Sequence, residues 1–380
     1  MKIFVSAGEV SGDVHAAYLV REIKKLDPNI SFYGLGSEKL LAAGVDVRWD
    51  MTKRGSIGIV EVLPNIFPIL SLFKKVKRSI IEEKPDLVLL VDSQGFNLPL
   101  AQFCKKIGVK TAYYIPPQEW LWGTTKGIKK VAAAVDLIIA IFEKEYEAYK
   151  SVGANVVYFG HPLLDIVVPT LSKAEARKRF WGNLFANAPI IALCPGSRGQ
   201  EIKKIFPILL GAARKIQGSI PGAKFLVPLA TTKLKDNIIR QIRGISAISV
   251  IGQNYDVLSC ADLAICTSGT INLEASILGT PNIMVYRLNP LTYWIGKNIL
   301  KIDQKMKYFS MPNILLDKQV VPELIQGHAT SALIAMESVS ILENKTKADG
   351  IKSDLKQLRT QLGKPGAIKK SAKAILELVS

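Results

Sequence analysis

Residues 1–28 read MKIFVSAGEVSGDVHAAYLVREIKKLDP: a short apolar strand at Ile3-Phe4-Val5, a glycine loop, and a helix from about Val14 to Lys25 that Pro28 stops. Apolar positions at 16, 17, 19, 20 and 23 form one face of that helix. The unit then recurs. Leu87–Val91, 110–115, 137–141 and 156–159 are further apolar strands, most of them separated by helical stretches. Continuous apolar strands alternating with helices predict a parallel sheet covered on both faces.

After a polar, helix-like stretch at 172–180 a second alternation begins. Its strands are expected at 190–193, 224–227, 247–250, 263–265 and 282–285. The working architecture is therefore α/β, two Rossmann-like domains in tandem: 1–165, 166–345, and a lysine-rich helical tail at 346–380. The length of 380 residues suits two domains of roughly 150–200 residues each. With 48% apolar residues and no low-complexity tract, a mainly disordered chain is excluded.

Fifty Lys and Arg against 32 Asp and Glu give a net charge of +18, which asks for an anionic partner: nucleic acid, a membrane face or a phosphorylated substrate. No zinc-finger, RNP or basic-zipper spacing accompanies the charge, so nucleic acid is not expected. The N-terminus lacks the apolar core of a signal peptide and the four cysteines are scattered, which reads as a reduced, cytoplasmic location. Residues 56–73, SIGIVEVLPNIFPILSLF, are long enough to raise the question of a membrane span. Glu61, Asn65, Pro64 and Pro68 argue against one. The basic flank Lys74-Lys75-Val76-Lys77-Arg78 instead suits a segment lying in a membrane interface, with Ile66, Phe67, Ile69, Leu70, Leu72 and Phe73 as the apolar contacts; a helix buried or facing a partner fits the same window.

Four places carry candidate chemistry. Gly8-Glu9-Val10-Ser11-Gly12-Asp13 opens the first helix, but Glu9 and Asp13 would repel a pyrophosphate, so a sugar or polar headgroup held by Glu9, Ser11 and Asp13 suits it, or a plain helix cap. Asp92 ends an apolar strand, where α/β sheets place their sites, and is either a general base or a helix cap. Cys194-Pro195-Gly196-Ser197-Arg198 makes a tight strand-to-helix turn whose Arg198 can fork onto phosphate or pair with Glu201. Ser268-Gly269-Thr270 repeats the device, with Glu274 one turn further in, placed to accept from two ribose hydroxyls. Together the last two loops fit a nucleoside diphosphate. No Asp-x-Asp occurs, so neither a metal nor any other cofactor is expected. Trp120 and Trp122 could line a sugar or acyl site, or pack domains together.

AGEVSGD at 7–13, VDSQGFN at 91–97, CPGSRGQEI at 194–202, TSGTINLE at 267–274, YR at 286–287 and MPNILLDKQVVPELIQ at 311–326, in this order, resemble the lipid-A-disaccharide synthases from end to end. The resemblance implies a GT-B glycosyltransferase, its two parallel sheets facing a central cleft and its C-terminal helices returning to the first domain. It implies transfer of diacylglucosamine from UDP-2,3-diacylglucosamine to 2,3-diacylglucosamine 1-phosphate (lipid X), forming a β-1,6 link and releasing UDP in lipid A biosynthesis, at the inner membrane. On the matching motifs Asp92 would be the base or acceptor-binding carboxylate, and Arg198, Glu274 and Asn313 would hold the UDP portion. Where members often show D-A-P-D-F-N, this chain has Asp92-Ser93-Gln94-Gly95-Phe96-Asn97. Another GT-B UDP-sugar transferase, a UDP-sugar epimerase and a non-catalytic lipid-binding protein are the rival readings; a second copy of the chain as partner is left open.

Overall fold

The structure, a computed structural model, describes residues 1–51, 66–182, 188–196, 199–229, 235–242, 244–298 and 306–380. The chain divides into two compact units, Met1–Ile166 with Leu362–Ser380, and Val167–Gln361.

The first unit is built on a seven-stranded parallel sheet of order β3-β2-β1-β4-β5-β6-β7. Its strands are β1 (Lys2–Ala7), β2 (Ser31–Leu35), β3 (Asp46–Trp49), β4 (Leu87–Val91), β5 (Lys110–Tyr114), β6 (Leu137–Ala140) and β7 (Val156–Tyr158). Helices α1 (Val10–Leu26), α2 (Glu38–Ala42), α3 (Ile66–Glu83), α4 (Gln94–Lys106), α5 (Glu119–Trp122), α6 (Thr125–Ala134), α7 (Glu143–Lys150) and α8 (Leu163–Ile166) belong to it. The central strand β4 is buried along its whole length, which is why Leu and Val run through it without alternation. Strand order reverses between β1 and β4, and open α/β sheets bind ligands outside the carboxyl ends of the strands at such a point.

The second unit repeats the plan with six strands in the order β10-β9-β8-β11-β12-β13. These are β8 (Ile190–Cys194), β9 (Lys224–Leu229), β10 (Ala247–Ile251), β11 (Leu263–Thr267), β12 (Asn282–Tyr286) and β13 (Glu323–Ile325). Its helices are α9 (Lys173–Trp181), α10 (Gly199–Ser219), α11 (Lys235–Gln241), α12 (Asn254–Cys260), α13 (Thr270–Ile277), α14 (Pro290–Asn298), α15 (Met311–Leu316), α16 (Ser331–Glu343) and α17 (Lys345–Gln361). The reversal here lies between β8 and β11.

The expected tail at 346–380 is not one piece. Helix α17 stays with the second unit, where Arg359 donates to the Ile277 carbonyl at 2.8 Å and Lys318 pairs with Asp354 at 2.6 Å. Only Leu362–Ser380, with α18 (Ala367–Val379), joins the first unit. Its start is pinned by Asp165, whose carboxylate accepts from the backbone N–H groups of Gly366 and Ile368, and Ala372 and Ile375 are buried against that unit.

Helix α3 corrects half of the apolar contact set. Ile66, Phe67 and Leu70 are 37%, 82% and 52% exposed, whereas Leu72 is 9% exposed within the core. Ile69 and Phe73 pack against the same core, Phe73 edge-on to Phe96 at 5.4 Å. Helical phase decides this: 69, 72, 73 and 76 share the inward stripe, and 67, 70, 74 and 78 the outward one. Residues 56–65 of the same segment lie outside the described residues. Among the described residues, no helix is long and apolar enough to cross a membrane.

Candidate active site

At the reversal in the first sheet, Ala7 of β1 lies beside Val91 of β4, so the loops that follow leave side by side. They approach closely. A Cβ on Gly8 would come within 2.7 Å of Ser93 Oγ and 2.2 Å of Met51 Cε, so a larger residue would have to push both side chains aside. Asp92 and Ser93 both take the left-handed backbone region, with φ of 54° and 50°. Such residues cost of order 1–3 kcal/mol each and persist only where their surroundings hold them. Here Asn97 and Tyr113 do so: Asn97 Nδ2 and Tyr113 Oη both donate to the Asp92 carbonyl at 2.8 Å. Asn97 is itself fixed, accepting from Ser6 Oγ at 2.6 Å and donating to the Val91 carbonyl at 3.1 Å.

Helix α4 takes its N-cap at Ser93, so Asp92 is not the cap of the helix it precedes. Its Cβ packs where α1 opens, 3.6 Å from the position a Cβ on Gly12 would occupy. Glu9 is the N-cap residue of α1 and, with Ser11, is half-buried at the same end of the sheet.

Asp13 does not join them. It is buried, and its carboxylate accepts from the backbone N–H groups of Ser37 at 2.7 Å, Lys39 at 2.9 Å and Leu40 at 3.3 Å. It caps α2 from a neighbouring helix, its carboxylate satisfying free N–H groups at that helix's start. Burial pushes its pKa up, against the lowering effect of those three amides.

His15 and His161 are buried near one another, and burial lowers both, His15 to about 4. Both imidazoles therefore favour the neutral form at pH 7. His161 accepts the Leu163 amide on Nδ1 at 3.1 Å, as befits a structural histidine.

In the second sheet Cys194 of β8 is in register with Cys266 of β11, so the loops beginning at Pro195 and Ser268 leave as neighbours. Gly196 and Gly269 have φ of 98° and 129°, and among the described residues none occupies the space a Cβ at Gly269 would take. Helix α13 starts at Thr270, directly after Ser268 and Gly269, and the N–H groups of a helix N-terminus suit an anion. Ser197 and Arg198 lie outside the described residues. Glu274 sits on the second turn of α13, and burial of its carboxyl pushes it up to about 7.

Asn313 is also accounted for internally. Its Oδ1 accepts from the Val320 and Val321 amides at 2.7 and 2.9 Å, and its Nδ2 donates to the Val321 carbonyl at 2.9 Å and to Glu323 Oε1 at 2.7 Å. Two acceptor and two donor positions are all an asparagine has. These bonds lock α15 to the strand β13. Glu323, unmarked by any sequence signal beyond its place in the 311–326 run, completes the lock by accepting from Ser310 N at 2.9 Å and Ser310 Oγ at 2.8 Å.

Residues 3–378 match the family described as lipid-A-disaccharide synthetase. The chain belongs to the lipid-A-disaccharide synthetase family. A lipid-A-disaccharide synthase of Geobacter metallireducens is 35% identical over 380 residues, covering 100% of this chain and 97% of its own. That of Syntrophus aciditrophicus is 38% identical, covering 99% and 97%. Among solved structures, a putative UDP-N-acetylglucosamine 2-epimerase from Listeria monocytogenes superposes with a TM-score of 0.68 at 12% identity, covering 99% of this chain and 95% of its own. The calicheamicin glycosyltransferase CalG4 gives 0.60 at 11% identity, covering 100% and 98%. With the two parallel sheets, these neighbours place the disaccharide synthetase chain in the GT-B fold class, two Rossmann-like domains.

Proposed function

We propose that this chain is an inverting hexosyltransferase that moves 2,3-diacylglucosamine from UDP-2,3-diacylglucosamine to the 6-hydroxyl of 2,3-diacylglucosamine 1-phosphate, giving the β-1,6 disaccharide 1-phosphate and UDP. The observation that carries this reading is the match of nearly the whole chain to one family whose curated relatives share one activity name. The epimerase neighbours are 12–14% identical and argue for the fold only. Incubation with both lipid substrates should give a disaccharide; UDP release with no joined sugar would refute the reading.

In this scheme Ser268, Gly269, Thr270 and Arg198 hold the diphosphate, whose growing charge they stabilise as the glycosidic bond to UDP breaks. Replacing Arg198 by Ala removes a charge-assisted contact and should cost about 1.5–3 kcal/mol of UDP affinity. Calorimetric titration measures this, and full affinity in Arg198→Ala would remove the residue from the site. Turnover should survive EDTA, since the arginine and helix N-terminus supply the charge.

Glu274 is assigned the ribose. Both ribose hydroxyls donate to it, so the ionised form binds and the neutral form binds poorly. With the free carboxyl at about 7, affinity for a UDP-sugar should rise as pH goes from 6 to 8. A Glu274→Gln chain should show weaker affinity without that slope; the same slope in the variant would assign it to another group. A UDP-sugar suits the test because its diphosphate does not titrate in this range.

Asp92 is assigned the acceptor proton, with Glu9 and Ser11 on the acceptor. Both substrates carry acyl chains, so the chain must work at a lipid surface, here the anionic cytoplasmic face of the inner membrane. The outward stripe of α3 fits: Ile66, Phe67 and Leu70 lead into Lys74 and Arg78. Serine at 66, 67 and 70 should weaken sedimentation with anionic vesicles while leaving UDP binding intact. Equal partition of variant and parent would make the stripe a protein contact.

A further inference from the structure

Helix α7 turns Glu145 and Tyr149, four residues apart and so on one face, onto the loop that follows β5. Tyr149 Oη donates to the Pro117 carbonyl at 2.7 Å. Glu145 is fully buried and accepts the Ile141 amide on Oε2 at 2.8 Å. Its other oxygen, Oε1, and the indole Nε1 of Trp120 are both buried without a hydrogen bond of ordinary geometry, although the indole is close enough to act on the carboxyl. The Trp120 ring lies tilted against Phe142 with ring centroids 5.8 Å apart, and Phe142 meets His161 at 4.9 Å. Gln94, two residues beyond Asp92, donates to Glu119 of the same short helix α5 at 2.5 Å. Helix α5 is thus tied to the Asp92 loop on one side and rests on Glu145 on the other.

A carboxyl is a costly group to bury, and an apolar residue of similar size would pack there more cheaply. Burial pushes Glu145 up to about 8 and the charge of Asp92 adds to the shift, so at neutral pH it mostly holds its proton. It then offers hydrogen-bonding atoms beside Asp92 without a second negative charge.

We propose that Glu145 is a positioning residue for the transfer: through Trp120 and the Ile141 turn it fixes α5 against the Asp92 loop, and with it the wall that meets the acceptor sugar. The inference rests on the disaccharide-synthase reading and concerns the acceptor alone. Glu145 acts through Trp120 and does not touch substrate.

The test is steady-state kinetics of the full chain with the acceptor and the UDP-sugar varied in turn. Glu145→Ala should lower kcat/KM for the acceptor by about 10–100-fold, the scale of an ångström's misplacement, with KM for the UDP-sugar unchanged. Glu145→Gln keeps one acceptor oxygen for the Ile141 amide but turns an NH2 toward the Trp120 N–H, donor against donor, so it should keep the acceptor defect. Trp120→Phe, which keeps the ring contact but removes the N–H, should show the acceptor defect, and adding it to Glu145→Ala should cause no further loss, because the two act as one unit. An unchanged acceptor kcat/KM in Glu145→Ala, or parent rates in Glu145→Gln, overturns the proposal. Should Glu145→Ala not fold, Trp120→Phe decides on the same readout: a selective acceptor defect supports the proposal and none overturns it. A parent that makes no disaccharide overturns the proposed function and this inference with it; an active parent with indifferent variants overturns the inference alone.

Discussion

Replacing Asp92 by Asn should lower turnover by about 10²–10⁴-fold, the range that general acid–base assistance supplies, and leave UDP affinity nearly unchanged. The reaction inverts the anomeric carbon, so the acceptor hydroxyl attacks from the face opposite the departing UDP. That hydroxyl is a poor nucleophile until its proton begins to leave, and a carboxylate at hydrogen-bond distance can take it. Asn cannot. The substitution is a clean one here because the backbone tolerates it. Residue 92 has φ of 54°, a region in which Asn is among the best-accepted residues, and the contacts from Asn97 and Tyr113 go to its carbonyl, not its side chain. A fall in rate would therefore report the lost carboxylate and not a collapsed turn. A variant that kept most of its rate would make Asp92 a turn residue and move the search for the base to Glu9.

The second large effect is on stability. Asn313→Ala leaves the buried Val320 and Val321 amides without their acceptor, while Glu323 Oε1 keeps its bonds from Ser310. Stranding such groups costs about 1–3 kcal/mol apiece before relaxation and water recover part of it, so a loss of about 3 kcal/mol in unfolding free energy is expected. Denaturant titration reads this directly. Folded Asn313→Ala should still bind a UDP-sugar like the parent. A variant of parental stability that lost nucleotide affinity would assign Asn313 to the uridine instead.

These two residues mark where sequence reading stops. The strands β1 and β4–β12 are legible because each is a short run of apolar residues bounded by turns. Three strands are not. In β2 the run Ser31–Leu35 is broken by Gly34, which looks like a turn signal but is there because a Cβ would meet the Val5 carbonyl oxygen at 2.1 Å. Edge strand β3 alternates exposed and half-buried residues and carries Asp and Arg, and β13 is only three residues long.

Site residues divide in the same way. Asp92, Ser268–Thr270 and Glu274 follow strands directly, so their position at the carboxyl edge can be inferred from order along the chain. Asp13 and Asn313 sit in equally conspicuous motifs, yet their partners are backbone amides 24–27 and 7–8 residues away that only the folded chain brings near. Glu145 lies in FEKEYEAYK, indistinguishable in sequence from an ordinary solvated helix, and only its complete burial singles it out. In α3 the apolar run is plain, but its division into an outward stripe at 66, 67 and 70 and an inward one at 69, 72 and 73 needs the helix to be placed on its sheet.

The central claim is that the chain joins two acylated glucosamines. Its most direct test is mass spectrometry and NMR of the lipid formed from UDP-2,3-diacylglucosamine and 2,3-diacylglucosamine 1-phosphate. The account predicts one new phospholipid whose mass is that of the two acylated sugars joined with loss of water, with a β anomeric proton and a linkage to carbon 6, formed in step with UDP. An epimerised UDP-sugar, as the structural neighbours named epimerases would suggest, or UDP accompanied only by free diacylglucosamine, would contradict it.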